Sequence, residues 1–113
     1  MRIEQYHICL ADLNPRFGTE PGKVRPVVVV QTDALNHVHP STVIIPITTN
    51  VIQEASLLRV HLSREDTGLE QNSDVLIDQV RAIDKRRIIR HIGILKEEYR
   101  QQIENNLKIL LFE

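Results

Sequence analysis

The chain has 113 residues, of which 42% are hydrophobic, and its formal net charge is −1. This length fits one compact domain over residues 1–113, and the hydrophobic content can supply a core without disulfides or a structural metal. The single cysteine, Cys9, excludes an internal disulfide and is predicted to be a buried, inert thiol. With no predicted membrane span or signal peptide, the expected location is cytoplasmic.

The hydrophobic pattern predicts a series of short strands followed by one helix. Apolar, β-branched runs alternate with polar turns that contain proline, glycine or asparagine. The order is typical of an α+β domain, and we expect a small β-barrel closed by the helix. The predicted strands are 6–13, 27–30, 43–49, 57–62, 75–83 and 88–94, and the helix covers 96–112.

Two of these strands predict where side chains point. The β-branched run 27–30 is typical of a strand that is buried on both faces. Within 43–49, Pro46 predicts an irregularity, because proline cannot donate a hydrogen bond to a neighbouring strand. If the pleat is otherwise regular, Thr48 points away from the face that carries Ile47.

The usual enzyme motifs are absent from the sequence. The four glycines are scattered, so they form no phosphate-binding loop, and no serine stands in a Gly-x-Ser-x-Gly turn. His37 and His39 are two residues apart in one predicted loop, and His7, His61 and His91 are isolated in the sequence, so surface histidines are the simpler interpretation. We therefore predict neither a metal site nor a cofactor.

Basic residues concentrate between Arg81 and Arg90, where five of them are opposed only by Asp84. Such a segment could contact phosphates, although a solvated turn is the simpler interpretation. A second set of polar residues lies at the margins of the apolar strands. Each of these residues, taken alone, is more often structural than functional. The set consists of Glu20, Arg25, Thr48, Asp78, Gln79 and Arg81.

Three motifs in chain order resemble those of the MazF/PemK toxin family. The first places Asp-Leu-x-Pro and Gly-Thr-Glu ahead of Arg-Pro and an apolar strand. The second is Pro-x-Thr-Thr-Asn at the end of a strand, and the third is Asp-Gln-x-Arg-x-x-Asp-Lys-x-Arg. They correspond here to residues 12–30, 46–50 and 78–87.

The resemblance implies an SH3-like barrel that forms a homodimer and cuts single-stranded RNA without a metal. It also implies a separate MazE-like antitoxin that covers the active groove. By the family pattern, Arg25 and Thr48 are the catalytic residues. The positions expected to contact RNA are Phe17, Thr19, Glu20, Asp78, Gln79 and Arg81.

Two points stay open at the level of sequence. Some relatives have histidine at the position of Thr19, so the general base is left between Glu20 and Asp78. The alternative function is a non-enzymatic module on the same fold, such as a gyrase-poisoning toxin of the CcdB type. That alternative does not require Arg25 and Thr48 together, so the pair favours a nuclease.

Overall fold

The strands form one curved antiparallel sheet, to which a C-terminal helix is added. The computed structural model describes residues 2–113, and no helix in that range is both long and apolar enough to cross a membrane. Short 3-10 turns cover Arg64–Asp66, Ile77–Gln79 and Lys85–Arg87. The main elements are β1 His7–Asp12, β2 Val24–Val29, α1 Asp33–Asn36, β3 Ser41–Thr48, β4 Arg59–Leu62, β5 Ser73–Leu76, β6 Arg81–Asp84, β7 Ile88–Ile94 and α2 Glu97–Phe112.

The sheet has the strand order β4-β5-β3-β2-β1-β7, with β6 also paired to β3. Within residues 2–113, the edge strands β4 and β7 do not pair with each other, so the barrel remains open. Helix α2 packs against β4 and the turn Ile77–Gln79. The predicted α+β class is confirmed, whereas complete closure of the barrel is not observed.

Strand β3 changes its partner in the middle. Its first half, Ser41 to Ile44, pairs with β6, and its end pairs with β5 through Ile47 and Thr48. Pro46 lies between these two partners. Proline has no amide hydrogen to donate, and it lies where β3 changes from one partner strand to the other. This change of partner is the irregularity that the sequence predicted.

The central strands β2 and β3 are buried on both faces. Val28 and Ile45 pack with Ile103 of α2, so we name this side the helix face. Val27 and Ile44 belong to a second cluster on the opposite side, which we name the outer face. The prediction that the valine run is buried on both faces is confirmed, and burial of this kind fixes both strands firmly.

Cys9 belongs to the outer-face cluster and is almost fully buried. Burial raises the pKa of its thiol, which disfavours the reactive thiolate. The prediction of a buried cysteine is confirmed.

The predicted strand 75–83 is wrong as a single element. It consists of β5, a 3-10 turn at Ile77–Gln79, and β6. Both strands pair with β3, but at opposite ends of it, so the chain has to turn between them. The polar connection predicted at 33–42 also contains the short helix α1.

The C-terminal helix begins and ends within one residue of its predicted bounds. Lys96 precedes it without a side-chain cap, as the sequence indicated. Ile103 is fully buried on the helix face, and Leu107 packs beside it. Leu111, by contrast, is 56% exposed, so the apolar stripe extends beyond what this chain covers.

Candidate active site

Arg25 and Thr48 lie on the outer face, at neighbouring ends of β2 and β3. The antiparallel pairing of these two strands ends with Val27 opposite Pro46, and Arg25 and Thr48 each lie two residues beyond that last pair. Residues two apart along a strand share a face, and neighbouring strands are about 4.8 Å apart. The two predicted catalytic side chains therefore lie on one face, at adjacent ends of two rigid strands.

Arg25 is half-buried and held at its Nε atom. This nitrogen donates to the carbonyl oxygen of Gly22 at 2.9 Å, which leaves both terminal nitrogens of the guanidinium available to a ligand. Burial, and then the neighbouring Arg16, lower the pKa of Arg25 from its ordinary value. An arginine nevertheless stays charged at neutral pH, so the site contains a fixed cation.

The hydroxyl group of Thr48 takes part in one hydrogen bond, as an acceptor. Its Oγ1 accepts a hydrogen bond from the backbone amide of Asn50 at 3.1 Å. The hydroxyl hydrogen remains able to donate to a ligand. The side chain is half-buried and lies on the face opposite Ile47, as the alternation of the strand predicted.

The β1–β2 loop, residues 13–23, is tied at its base and free at its tip. Arg87 donates through Nη1 to the carbonyl oxygen of Asp12 at 3.0 Å and to that of Asn14. At the tip, the amide of Glu20 donates to the carbonyl oxygen of Phe17, and the ring of Phe17 is 80% exposed. The loop thus presents an aromatic side chain to solvent from an anchored frame.

Glu20 and Arg81 meet across the outer face. The Arg81 Nη1 atom lies 3.7 Å from Oε1 of Glu20, and Arg81 stands opposite Ile44 on the neighbouring strand. The same Nη1 is buried and has no hydrogen-bond partner within residues 2–113. A buried guanidinium nitrogen without a partner is costly, so this nitrogen is suited to an incoming acceptor.

Thr19, Asp78 and Gln79 line one cleft of about 420 Å³. The cleft lies between the β1–β2 loop and the segment 49–58 that joins β3 to β4, which we name the β3–β4 loop. Pro21 and Leu76 also line it. The structure thus places seven of the eight predicted site residues in three groups: the two catalytic candidates on one face, the ion pair of Glu20 with Arg81, and the three residues that line the cleft. Phe17 lies apart from them at the loop tip.

The chain matches a known protein family along almost its whole length. The family model described as "PemK-like, MazF-like toxin of type II toxin-antitoxin system" matches residues 4–111. The chain belongs to the PemK/MazF toxin family. It is 36% identical over 112 residues to endoribonuclease EndoA of Bacillus subtilis, and the match covers 98% of this chain and 96% of that protein.

Solved structures of the PemK/MazF family share the fold. MazF from Deinococcus radiodurans has a TM-score of 0.85, with 23% identity and coverage of 100% of this chain and 99% of that one. A MazE–MazF complex from the same organism has a TM-score of 0.79, with 22% identity and coverage of 98% and 97%. At these identities the likeness shows the fold alone.

A buried carboxylate was missed by the PemK/MazF resemblance and by the sequence pattern. Asp74 of β5 is fully buried, and its Oδ2 accepts from the amide of Ile52 at 2.9 Å and from Nη1 of Arg59 at 3.1 Å. Its Oδ1 lies 2.6 Å from Nδ1 of His61. Because a carboxylate only accepts, this ring nitrogen carries the hydrogen. We name these three side chains the Asp74 cluster.

The Asp74 cluster fixes the β3–β4 loop. Arg59 also donates through Nη1 to the carbonyl oxygen of Asn50 at 2.8 Å, so the loop is bonded at both Asn50 and Ile52. Burial alone would raise the pKa of Asp74, but the bonds from Ile52, His61 and Arg59 together lower it. Asp74 therefore stays ionised and stands opposite Thr48 on the outer face.

Three histidines that are isolated in the sequence have side-chain contacts in the fold. His61 bonds to Asp74, and the rings of His7 and His91 meet edge to face with centroids 4.8 Å apart. Burial, and then His91, lower the pKa of His7. The reason is topological, because β1 pairs with β7 and β4 pairs with β5.

The basic segment after β6 mainly supports loops. Lys85 donates to the carbonyl oxygen of Asn36, Arg86 pairs with Asp84 at 2.9 Å, and Arg87 holds the β1–β2 loop. These contacts favour the structural interpretation over direct phosphate binding for the three residues. Arg81 is the exception, because its buried nitrogen has no partner in the described range.

One group of possible metal ligands occurs in the described residues. Ligand atoms of Glu4, Asp33 and His37 lie within 4.8 Å of one another. Arg2 already contacts this group, with its Nε 2.6 Å from Glu4. The group belongs to the segment before β1 and to α1 with its C-cap residue, and it contains none of the residues assigned to the site above.

Proposed function

We propose that this chain is an endoribonuclease toxin that cuts single-stranded RNA without a metal. The ribose 2′-hydroxyl attacks the adjacent phosphorus, the bond to the 5′-oxygen breaks, and the products are a 2′,3′-cyclic phosphate and a 5′-hydroxyl. The observation that carries the proposal is the placement of Arg25 and Thr48 on one face, each two residues beyond the last pair of β2 and β3. Its relation to endoribonuclease EndoA supports the same activity.

Arg25 supplies the charge that this reaction needs. The attack adds a fifth oxygen to phosphorus and concentrates negative charge on the non-bridging oxygens. A planar guanidinium can donate to two of these oxygens at once, and its charge is permanent. Since β2 is buried on both faces at Val27 and Val28, Arg25 is positioned before substrate arrives, and such preorganisation is the main source of electrostatic catalysis.

Thr48 orients the same phosphate through its free hydroxyl hydrogen. The proton of the 2′-hydroxyl must reach a base, and a second proton must reach the leaving 5′-oxygen. Glu20 and Asp78 are the two carboxylates among the site residues, and both belong to segments that border the outer face. We assign the base to one of these two.

The remaining site residues bind RNA. The exposed Phe17 offers a stacking surface to an unpaired base, which is a common mode of single-strand binding. The partly exposed side chain of Arg81 can turn from Glu20 toward a phosphate oxygen, which would give its buried Nη1 the hydrogen bond that it lacks within residues 2–113. Thr19 and Gln79 line the adjacent cleft with Asp78, where a base can enter.

We also propose that a MazE-like antitoxin neutralises this toxin. Several solved relatives are complexes of a MazF protein with its antitoxin, including the MazE–MazF complex from Deinococcus radiodurans. A chain that covers the outer face would block Arg25 and the cleft together. The cations Arg25 and Arg81 favour an acidic segment of the partner.

We further propose that the chain forms a homodimer. The end of α2 exposes Ile109, Leu110, Leu111 and Phe112, and this run of apolar side chains needs a cover in water. We expect the wild type to sediment at twice the chain mass and Leu111→Glu to shift toward the monomer. A monomeric wild type at micromolar concentration would contradict the proposal, and Glu113→Gln serves as the control.

The cleavage proposal is tested with defined single-stranded RNA in EDTA. We expect Thr48→Ser to keep most of the activity and Thr48→Ala to lose about 10²-fold, the usual cost of one transition-state hydrogen bond. The matched control is Thr49→Ala, which removes a neighbouring exposed threonine. The end groups are identified by phosphatase and kinase treatment.

Two results would overturn the cleavage proposal. One is intact RNA with the wild type, and the other is equal cutting by wild type and Thr48→Ala. A parallel assay with DNA gyrase examines the non-enzymatic alternative. Trapped gyrase together with intact RNA would replace the nuclease by a binding toxin.

A further inference from the structure

The cleft beside the catalytic pair has a size and lining suited to a nucleobase. Its volume is about 420 Å³, within the range of small-ligand sites. The apolar part of the lining comes from Leu76 of β5 and from Ile52 and Leu58, which belong to the β3–β4 loop. Flat, partly apolar rings are favoured in such a space over a hydrated phosphate.

Two charged groups of opposite sign line this cleft. Arg59 is tied to Asp74 and to the carbonyl oxygen of Asn50 through Nη1 alone. In the described part of the chain, its Nε and Nη2 make no hydrogen bond, so one side of the guanidinium is available to a ligand. Asp78 is exposed and provides two acceptor oxygens. A carboxylate here repels a phosphate and accepts from a base.

The cleft lies next to the proposed scissile phosphate. Thr48 stands opposite Asp74, Leu76 lies two residues beyond Asp74 on β5, and Leu76 in turn pairs with Arg59. Leu76 is thus one strand from β3 and Arg59 is two strands away, about 10 Å at the usual strand spacing. A base attached to the ribose beside that phosphate can span this distance.

We propose that the cleft selects guanine in the nucleotide adjacent to the cut, with Arg59 as its specificity-determining residue. Arg59 donates to O6 and N7 of the base, and Asp78 accepts from N1–H and the 2-amino group. The inference rests on the proposed ribonuclease function and names the base that its site reads. Because the buried Asp74 holds Arg59 in place, its guanidinium is already positioned to recognise the base.

The complementarity singles out guanine among the four bases. Guanine presents two adjacent acceptors on one edge and two adjacent donors on another. A guanidinium and a carboxylate can therefore each form two hydrogen bonds with it. Adenine offers each group one bond, and uracil offers the carboxylate only one donor. Cytosine offers the guanidinium two acceptors, N3 and O2, but offers the carboxylate only its 4-amino group. Gln79 also lines the cleft, but an amide both donates and accepts, so it adds little discrimination. With Asp78 engaged by the base, Glu20 is left to take the 2′-hydroxyl proton.

The first test measures which bases surround the cut. A randomised single-stranded RNA pool is digested by wild type, Arg59→Lys, Asp78→Ala and the control Arg64→Ala, an exposed arginine whose side chain makes no hydrogen bond in the described structure. We expect guanine to be enriched about 10-fold or more next to the cut by wild type and Arg64→Ala, and this enrichment to be lost in the other two. Arg59→Lys keeps a positive charge beside Asp74. It therefore tests the paired N–H donors of the guanidinium without removing the charge that the fold requires.

The second test removes single atoms from the base. Inosine lacks the 2-amino group and 7-deazaguanosine lacks the N7 acceptor. In wild type each replacement should slow cutting about 10-fold, whereas Asp78→Ala should cut guanosine and inosine RNA equally. Equal cutting of all four bases by wild type, or a guanine preference that survives in full in Arg59→Lys, would overturn the inference.

A binding measurement separates this inference from the proposed function. Guanosine and adenosine 5′-monophosphate are titrated into wild type and Asp78→Ala, with amide chemical shifts of the Ile77–Gln79 turn as the signal. Selective guanosine binding by wild type without RNA cutting would support the cleft and reject the nuclease. RNA cutting without selective binding or base preference would keep the nuclease and reject the guanine site.

Discussion

Replacing Arg25 with alanine is expected to lower the rate of RNA cleavage by about 10³-fold while the protein remains folded. Removal of one preorganised charged donor typically costs 10²–10³ in rate, and Arg25 can donate to two oxygens. The structural cost is small, because within residues 2–113 the side chain makes one hydrogen bond, to the carbonyl oxygen of Gly22. The measurement is single-turnover cleavage of a defined RNA, with the fold checked by circular dichroism.

Two variants make the Arg25 prediction specific. Arg25→Lys keeps the charge but loses the planar fork, so we expect an intermediate rate, about 10-fold to 10²-fold below wild type. Arg90→Ala removes an exposed arginine elsewhere on the sheet and should cut normally. If Arg25→Ala and Arg90→Ala cut RNA at the same rate, Arg25 has no catalytic role.

Replacing Asp74 with alanine is expected to destabilise the fold by about 3–5 kcal/mol, the usual cost of removing one partner from a buried ion pair. Asp74 is fully buried, and its loss leaves the mostly buried Arg59 without its carboxylate. It also removes the bond that holds the amide of Ile52. Urea unfolding at pH 7 measures the change in free energy of unfolding. A loss below 1 kcal/mol would contradict the role given to the Asp74 cluster.

The effect of Asp74 should depend on pH in a defined direction. Its folded-state pKa is lowered, so the stability that the carboxylate contributes is fully present above the unfolded value of about 3.9 and is lost as the pH falls through the folded pKa. The stability gap between wild type and Asp74→Asn should therefore be constant from pH 7 to pH 5 and narrow toward pH 3. Asp84→Asn removes an exposed, solvent-screened ion pair and should change stability little at neutral pH.

The local parts of the fold were predictable because they depend on neighbouring residues. The valine run of β2 and the spacing of Ile103 and Leu107 in α2 are signals that repeat along the chain. The burial that each of them predicts is confirmed. The division of 75–83 was not predictable in the same way. Its mostly apolar composition suits one strand, and the break at Ile77–Gln79 arises because β5 and β6 occupy different ends of β3.

The site shows the same division between local and distant information. The family motifs identified Arg25 and Thr48, but their placement on one face at adjacent strand ends depends on how β2 pairs with β3. The Asp74 cluster gave no local signal, since His61 and Asp74 are 13 residues apart on strands of unknown pairing. Once β4 and β5 are paired with His61 opposite Asp74, the contact follows directly.

The burial of β2 and β3 on both faces separates two properties that selection can act on. The strands that hold Arg25 and Thr48 are locked by packing on each side, so most changes in them would damage the fold. Asp78 and the β3–β4 loop lie in a turn and a connection with exposed side chains, where substitutions are cheaper. Descendants of this chain could therefore acquire new target sequences while the bond-breaking apparatus stays the same.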